Sequence, residues 1–190
     1  MPTIFSHPAV PLALGYAASS GVVSSRLLAA GVACSMLPDL DVVGLWLGVP
    51  YGSAWGHRGA THSVAFALAV GLVGALAAGW LRASRLAAFT FLAAATASHG
   101  LLDALTDGGS GVAFLWPFDT GRWFLPWRPV EVSPIGVRAL ASDYFAHVLR
   151  SEIAWVWLPC IALAALGRQV RRAAATRAAA APDPARPPRS

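Results

Sequence analysis

The chain has 190 residues, of which 56% are hydrophobic and only 12% charged, with a mean hydropathy of +0.58. A soluble domain carries about 25% charged residues, so this composition excludes an ordinary soluble domain and points to an integral membrane protein of one compact unit. All 14 cationic side chains are arginines, which rules out lysine Schiff-base chemistry. Cys34 and Cys160 lie far apart in apolar runs with no CxxC, which argues against a thiolate zinc site or a redox pair. Both are expected to be packed thiols.

Met1 to Ser25 contains no acidic or basic residue apart from His7, and Pro8 to Ser25 reads as a first hydrophobic helix. The N-terminus lacks the basic region of a secretory signal peptide, so this helix is expected to persist in the mature protein. Arg26 precedes a short apolar run, Leu27 to Leu37, that Pro38 ends. A spanning helix needs about 20 residues, so this run is expected to leave the following aspartates recessed, either as a short span or as a re-entrant segment. Val42 to Val49 reads as an interfacial helix anchored by Trp46, and Tyr51 to Gly59 as a glycine-rich loop. Ala60 to Leu81 is the strongest membrane segment and ends at Arg82 and Arg85. Leu86 to Leu102 follows, uncharged except for His99. Asp107 to Ser133 is rich in Gly, Pro and Trp and is expected to form a structured loop, with its tryptophans, Phe118 and Phe124 at headgroup level. Ser142 to Glu152 is amphipathic and leads into a last short span, Ile153 to Gly167. The expected fold is therefore all-α, with about four to five hydrophobic helices and a Trp/Pro-rich loop. Residues 1–168 form the membrane-embedded domain, and residues 169–190 read as a disordered tail of Arg, Ala and Pro.

Charge asymmetry orients this arrangement in the membrane. If the arginine-rich tail is cytoplasmic, single crossings place nine arginines inside: Arg26, Arg82, Arg85 and the six between Arg168 and Arg189. Five remain outside: Arg58, Arg122, Arg128, Arg138 and Arg150. The same tracing gathers His7, Asp39, Asp41, His57, His62, His99 and Asp103 at the non-cytoplasmic face.

Those histidines and aspartates carry the chemistry. His99 and Asp103 are four apart on a helix and share one face; alone, the pair also fits a packed histidine with a carboxylate partner. In GHRGATHS (Gly56 to Ser63), His57 and His62 are candidate ligands, Thr61 is a candidate helix N-cap, and Arg58 is a candidate phosphate-orienting residue or a plain interfacial anchor. Asp39 and Asp41 follow Pro38 in a turn, where one would ligate and the other orient a histidine. His7 joins the set through topology alone. Nitrogen and oxygen donors of this mix suit Zn²⁺, with Mn²⁺ or Fe²⁺ as alternatives, and their number allows two ions. Neither a GxSxG motif nor a cysteine beside a histidine indicates covalent catalysis.

The blocks LPDLD (Leu37 to Asp41), GHRGATHS, SHGLLDALT (Ser98 to Thr106) and LWPF (Leu115 to Phe118), with a histidine near the start, resemble the YdjM-like family of bacterial inner-membrane metal-dependent hydrolases. The resemblance covers roughly His7 to Pro126 and implies a multi-span helical protein with a metal-dependent hydrolase activity. More distantly, the chain is similar to the helical zinc phospholipase C and P1 nuclease enzymes, whose HxxxD pattern matches His99 and Asp103. A full set of their other ligands is not matched: His147 and Glu152 are five apart, and Glu152 ranks as a helix-terminal glutamate as readily as a ligand.

The expectation is a membrane-bound metal-dependent hydrolase acting on a phosphoester, either a small molecule or a lipid head group. Asp41 and Arg58 would serve catalysis, and His7, Asp39, His57, His62, His99 and Asp103 the metal. The alternative is a non-enzymatic metal-binding or transport protein. Membrane lipid is the expected partner; nucleic acid is disfavoured, because a short basic tail beside a membrane more simply meets anionic lipid.

Overall fold

A computed structural model describes residues 1–18, 21–134 and 143–180. The described residues are helical, without a strand, apart from two isolated bridges in the long loop. In chain order the helices are α1 (Ala9–Ala17), α2 (Ser25–Met36), α3 (Val42–Trp46), α4 (Val64–Leu76), α5 (Ala78–Leu81), α6 (Arg85–Ala104), α7 (Asp143–Glu152) and α8 (Leu158–Ala180). Short 3-10 turns cover Leu37–Asp41 and Ala60–His62, and a π turn over Ile153–Trp157 joins α7 to α8. Three stretches are long and apolar enough to cross a bilayer: Ser25–Trp46, Arg85–Ala104 and Asp143–Ala178. Val64–Leu76 is a shorter apolar helix beside them. The protein is a helical membrane protein.

Serine caps start the three helices that follow loops. Ser24, Ser63 and Ser84 each accept a hydrogen bond from a backbone N–H three residues on, at 3.1 Å, satisfying a donor that the helix itself leaves free. Ser63 thus takes the capping role expected of Thr61, whose hydroxyl turns instead to Asp41. The first helix is also shorter than the apolar run Pro8 to Ser25, because α1 stops at Ala17 and Ser24 opens the next helix. The segment Ala60 to Leu81 is broken at Ala77 into α4 and α5. At the far end, α8 continues as helix to Ala180, so residues 169–180, expected to begin the tail, are helical. The rest of that expected tail lies outside the described residues.

Two ends of the bundle differ in chemistry. At one end Ser24 Oγ donates to Leu81 O, Arg26 donates to Trp80 O (3.0 Å), and Arg171 donates to Ala17 O. At the other, His99 Nδ1 on α6 meets Ser35 O in the last turn of α2 at 2.7 Å. The run Leu27 to Leu37 therefore extends along the bundle beside α6 from the arginine end to the histidine end. Leu27, Ala78, Leu81, Ala88, Phe91 and Leu92 form the core at the arginine end; Ala9, Leu102, Val130 and Val156 form a second one near the histidines.

The α4–α6 hairpin depends on small residues, because lipid tails give helices no hydrophobic reason to associate and only close packing holds them. A Cβ added at Gly71 would lie 2.8 Å from Phe89 O and 2.9 Å from Ala93 Cβ. Backbone cannot yield as a flexible side chain would. Gly71→Leu is expected to lower stability by about 1–3 kcal/mol, the usual range for overpacking, read as a lower thermal midpoint in detergent; an unchanged midpoint would mean that the hairpin is not packed this way.

Candidate metal centre

Four chain segments bring their polar side chains to one end of the bundle. His7 precedes α1; Asp39 and Asp41 occupy the turn after α2; His57 and His62 flank the start of α4; His99 and Asp103 lie one turn apart near the end of α6. One ligand atom from each of Asp39, His62, His99 and Asp103 falls within 4.8 Å of all the others, and all four residues are buried. His99 Nε2 is 3.2 Å from Asp39 Oδ1, and His62 Nε2 is 3.3 Å from Asp103 Oδ2. The His7 ring stacks on that of His99 at 3.6 Å and 11°. Its Nε2 lies 3.8 Å from Asp39 Oδ2 and 3.9 Å from Asp103 Oδ1. A second group, Asp41, His57 and His62, adjoins the first through His62.

Hydrogen bonds fix which ring nitrogens face the cluster. His99 Nδ1 sits against Ser35 O, a pure acceptor, so Nδ1 carries the proton. His57 Nδ1 donates to Asp41 Oδ1 at 2.7 Å. Thr61 Oγ1 donates to Asp41 Oδ2 at 2.7 Å and lies 3.0 Å from His62 Nδ1, which is itself 3.2 Å from Asp41 Oδ2. In all three rings Nδ1 is pinned by an oxygen and Nε2 is left with its lone pair. His62 Nε2 and His99 Nε2 then face each other at 3.1 Å, an arrangement that needs a cation or proton between them.

A metal fits these residues. Both oxygens of Asp39, both oxygens of Asp103, both nitrogens of His7 and Nε2 of His57 are buried without a hydrogen-bond partner. Leaving such groups unsatisfied costs about 1–3 kcal/mol each, and more when charged, whereas nitrogen and carboxylate donors of this kind match a borderline divalent ion. Asp41 has both oxygens occupied, so it orients His57 and His62 as carboxylates behind metal-binding histidines do. Burial, with a further contribution from His99, holds the His7 imidazole down to about 3, hence neutral and able to ligate. For His62 burial acts downward, but the hydrogen bonds and charges of Asp103 and Asp41 outweigh it and raise it to about 9. A proton on His62 thus relieves the facing lone pairs when no ion does.

Arg58 departs from its expected role. The side chain is fully buried, and its three nitrogens face Asp103 Oδ2 (Nε, 3.1 Å), Gly108 O (2.9 Å) and Thr106 Oγ1 (3.0 Å). The guanidinium is committed to the protein and holds Asp103 against the loop that follows α6. Its own backbone is left-handed, at φ 64°. Gly109, at φ 93°, makes room for it, since a Cβ there would lie 2.6 Å from an Arg58 terminal nitrogen.

Sequence reasoning missed Arg122. It donates to His57 O (2.9 Å), Ser53 O (2.9 Å), Tyr51 O (3.3 Å) and Ser110 Oγ (3.1 Å), tying the Tyr51 to His57 loop to the long loop. The only signal was an arginine placed far from the other motifs in sequence. Glu152 is buried but outside the cluster: it accepts from Thr3 N–H, Thr3 Oγ1 (2.6 Å) and Ser6 Oγ (2.5 Å). Trp157 Nε1 donates to Ser6 at 3.1 Å, so Glu152 anchors the segment that presents His7. His147 is exposed on α7.

A family model described as the YdjM inner membrane protein matches residues 1–175. The chain belongs to the YdjM family. Within comparisons to characterised sequences, this YdjM-family protein is 44% identical to the inner membrane protein YbcI of Escherichia coli (strain K12) over 160 residues, covering 84% of this chain and 92% of that protein. No solved structure matches it. The cluster, Arg58 and Arg122 all fall within the matched span.

Arg58→Ala is expected to cost about 3–5 kcal/mol in unfolding measurements in detergent, because it leaves Asp103 as an uncompensated buried charge. Arg58→Lys should recover only part of this, since an ammonium cannot face three partners in one plane. Full stability in both variants would contradict the buried clamp.

Proposed function

We propose that this YdjM-family protein is an inner-membrane metal-dependent hydrolase of phosphoesters, small-molecule or lipid-linked, with its centre at the non-cytoplasmic face. One observation carries the proposal: Nε2 lone pairs of His57, His62 and His99 and the carboxylates of Asp39 and Asp103, the latter with one oxygen ion-paired to Arg58, are buried together at one bundle end. His7, Asp39, His62, His99 and Asp103 would hold the first ion, zinc by donor chemistry, with manganese or iron as alternatives. His57 and the shared His62, next to Asp41, would serve a second ion. When bound, such an ion supplies Lewis-acid polarisation of a phosphoryl oxygen and acidifies a water.

The chain's own residues supply the positioning. Asp41 fixes two imidazoles in the ligating tautomer, and Arg58 holds one oxygen of Asp103 in place while balancing its charge. Arg122 closes the two loops over His57. The apolar bundle below keeps water and competing ligands away from the inner side of the cluster.

The second reading is a metal transporter or a non-enzymatic metal-binding protein. Transport needs polar groups that continue across the bilayer. Between Ser25 and Cys34, Val64 and Leu76, and Leu86 and Ser98, the helices contain no Asp, Glu or His, and Arg26 at the far end is the only charge. The donors end where the first turn of the cluster ends.

Protein purified in a mild detergent is expected to carry one to two equivalents of a transition metal, measured by elemental analysis, and the His99→Ala/Asp103→Ala variant to carry none. Equal metal in both would sink the site. Asp41→Asn should keep the fold and weaken metal binding by about 10- to 100-fold. Hydrolysis of bis(p-nitrophenyl) phosphate that disappears on chelation and returns with Zn²⁺ supports the enzyme; full metal loading with no hydrolysis of soluble or lipid phosphoesters favours the non-enzymatic reading.

A further inference from the structure

Away from the cluster, the bundle has an apolar groove of about 590 Å³ between α1 and α8, floored by Leu28 of α2. Its volume lies within the range of ligand pockets, about 300–1,000 Å³. Most of its walls are small: Ala9, Ala13, Gly15, Cys160, Ala164 and Ala165, with Tyr16 and Trp157 marking its two ends. The small residues leave a trough along the helices. At one end Trp157 bonds to Ser6; at the other, α1 and α8 meet where Gly167 lies against Ala17, 2.8 Å from an added Cβ.

The Tyr16 end is strongly cationic. The Arg168 guanidinium sits over the Tyr16 ring at 5.0 Å and donates to its hydroxyl, and Arg171 donates to Ala17 O. Arg172 follows on the same helix. No acidic residue occurs between Met1 and Pro38, nor between Ile153 and Pro182, so neither wall of the groove offers these arginines a carboxylate. An apolar trough that ends in uncompensated arginines has the chemistry of one class of occupant.

We propose that the α1–α8 groove binds an anionic phospholipid, with an acyl chain along Ala13 and Ala164 and the phosphate held by Arg168, Arg171 and Arg172. The aliphatic chain matches the walls, and the arginines at their end meet a phosphate whose charge no headgroup cation offsets. The phosphate end of the groove lies opposite the metal centre, and the proposal is independent of the hydrolase reading.

The test uses the full chain in detergent, titrated with phosphatidylglycerol or phosphatidylcholine of identical acyl chains, with lipid retention read by native mass spectrometry and stabilisation by thermal unfolding. Phosphatidylglycerol is expected to be retained on the order of 100-fold more tightly than phosphatidylcholine, as about 1 kcal/mol for each of the three arginines near the headgroup implies. Arg168→Gln/Arg171→Gln/Arg172→Gln should remove that preference, and Ala13→Phe, which fills the trough, should reduce retention of both lipids. Inorganic phosphate alone should not reproduce the stabilisation. Equal retention of the two lipids by the unsubstituted protein would overturn the proposal. So would phosphate-driven stabilisation, undiminished retention in Ala13→Phe with a native circular dichroism spectrum, or a dimer that shields the groove from added lipid.

Discussion

Asp39 and Asp103 place four carboxylate oxygens in the protein interior with no hydrogen bond to satisfy them, and the architecture around the histidine end follows from that burden. Buried unpaired carboxylates are among the most expensive groups a fold can carry. Every neighbouring element contributes something cationic or proton-bearing: Arg58 from the loop before α4, His99 from α6, His62 from the turn ahead of α4, and His7 from the segment before α1. The bundle helices are apolar, so these groups sit at or near helix ends, where loops can deliver them without placing charge in the hydrocarbon region.

The surrounding hydrogen bonds form an ordered second layer. Asp41 holds two imidazoles, Ser35 O holds a third, and Thr61 closes the Asp41 carboxylate. A fully buried arginine and a half-buried one then lock the loops: Arg58 joins Asp103 to the Thr106 to Gly108 turn, and Arg122 spans Tyr51, Ser53, His57 and Ser110. A binding site on loops is imprecise unless those loops are fixed, and arginine forks are well suited to fixing several carbonyls at once.

Much of this was legible in the sequence, for physical reasons. Charge is costly in an apolar chain, so His7, Asp39, His57, His62, His99 and Asp103 stand out individually, and the positive-inside bias gathers them on one side. The i, i+4 spacing of His99 and Asp103 fixed their shared face. Helix boundaries were less legible. Thr61 and Ser63 are both capping residue types two positions apart, and only the tertiary demand of Asp41 for a donor decides that Ser63 caps. The break at Ala77 has no proline or charge to announce it. The role of Arg58 was misjudged because sequence gives a residue's charge but not its solvent access: an exposed arginine at a helix start binds anions, while the same arginine at 0% exposure serves a buried carboxylate.

α1 connects the two chemical regions of the molecule. It is only nine residues long, about 13 Å at a helical rise of 1.5 Å per residue, too short to hold a position in a bilayer by hydrophobic length alone. It is instead fastened at both ends to the same partner. Before its first turn, Glu152 and Trp157 grip Thr3 and Ser6; at its last turn, Arg168 and Arg171 grip Tyr16 and Ala17. The placement of His7 on His99 is therefore set by the continuous helical stretch Asp143–Ala178 rather than by the depth of α1 in the membrane. Between those fastenings the two helices line the groove, where small side chains leave a trough. A helix held at its ends and unfilled in its middle is the part of this fold whose packing depends most directly on the lipid beside it.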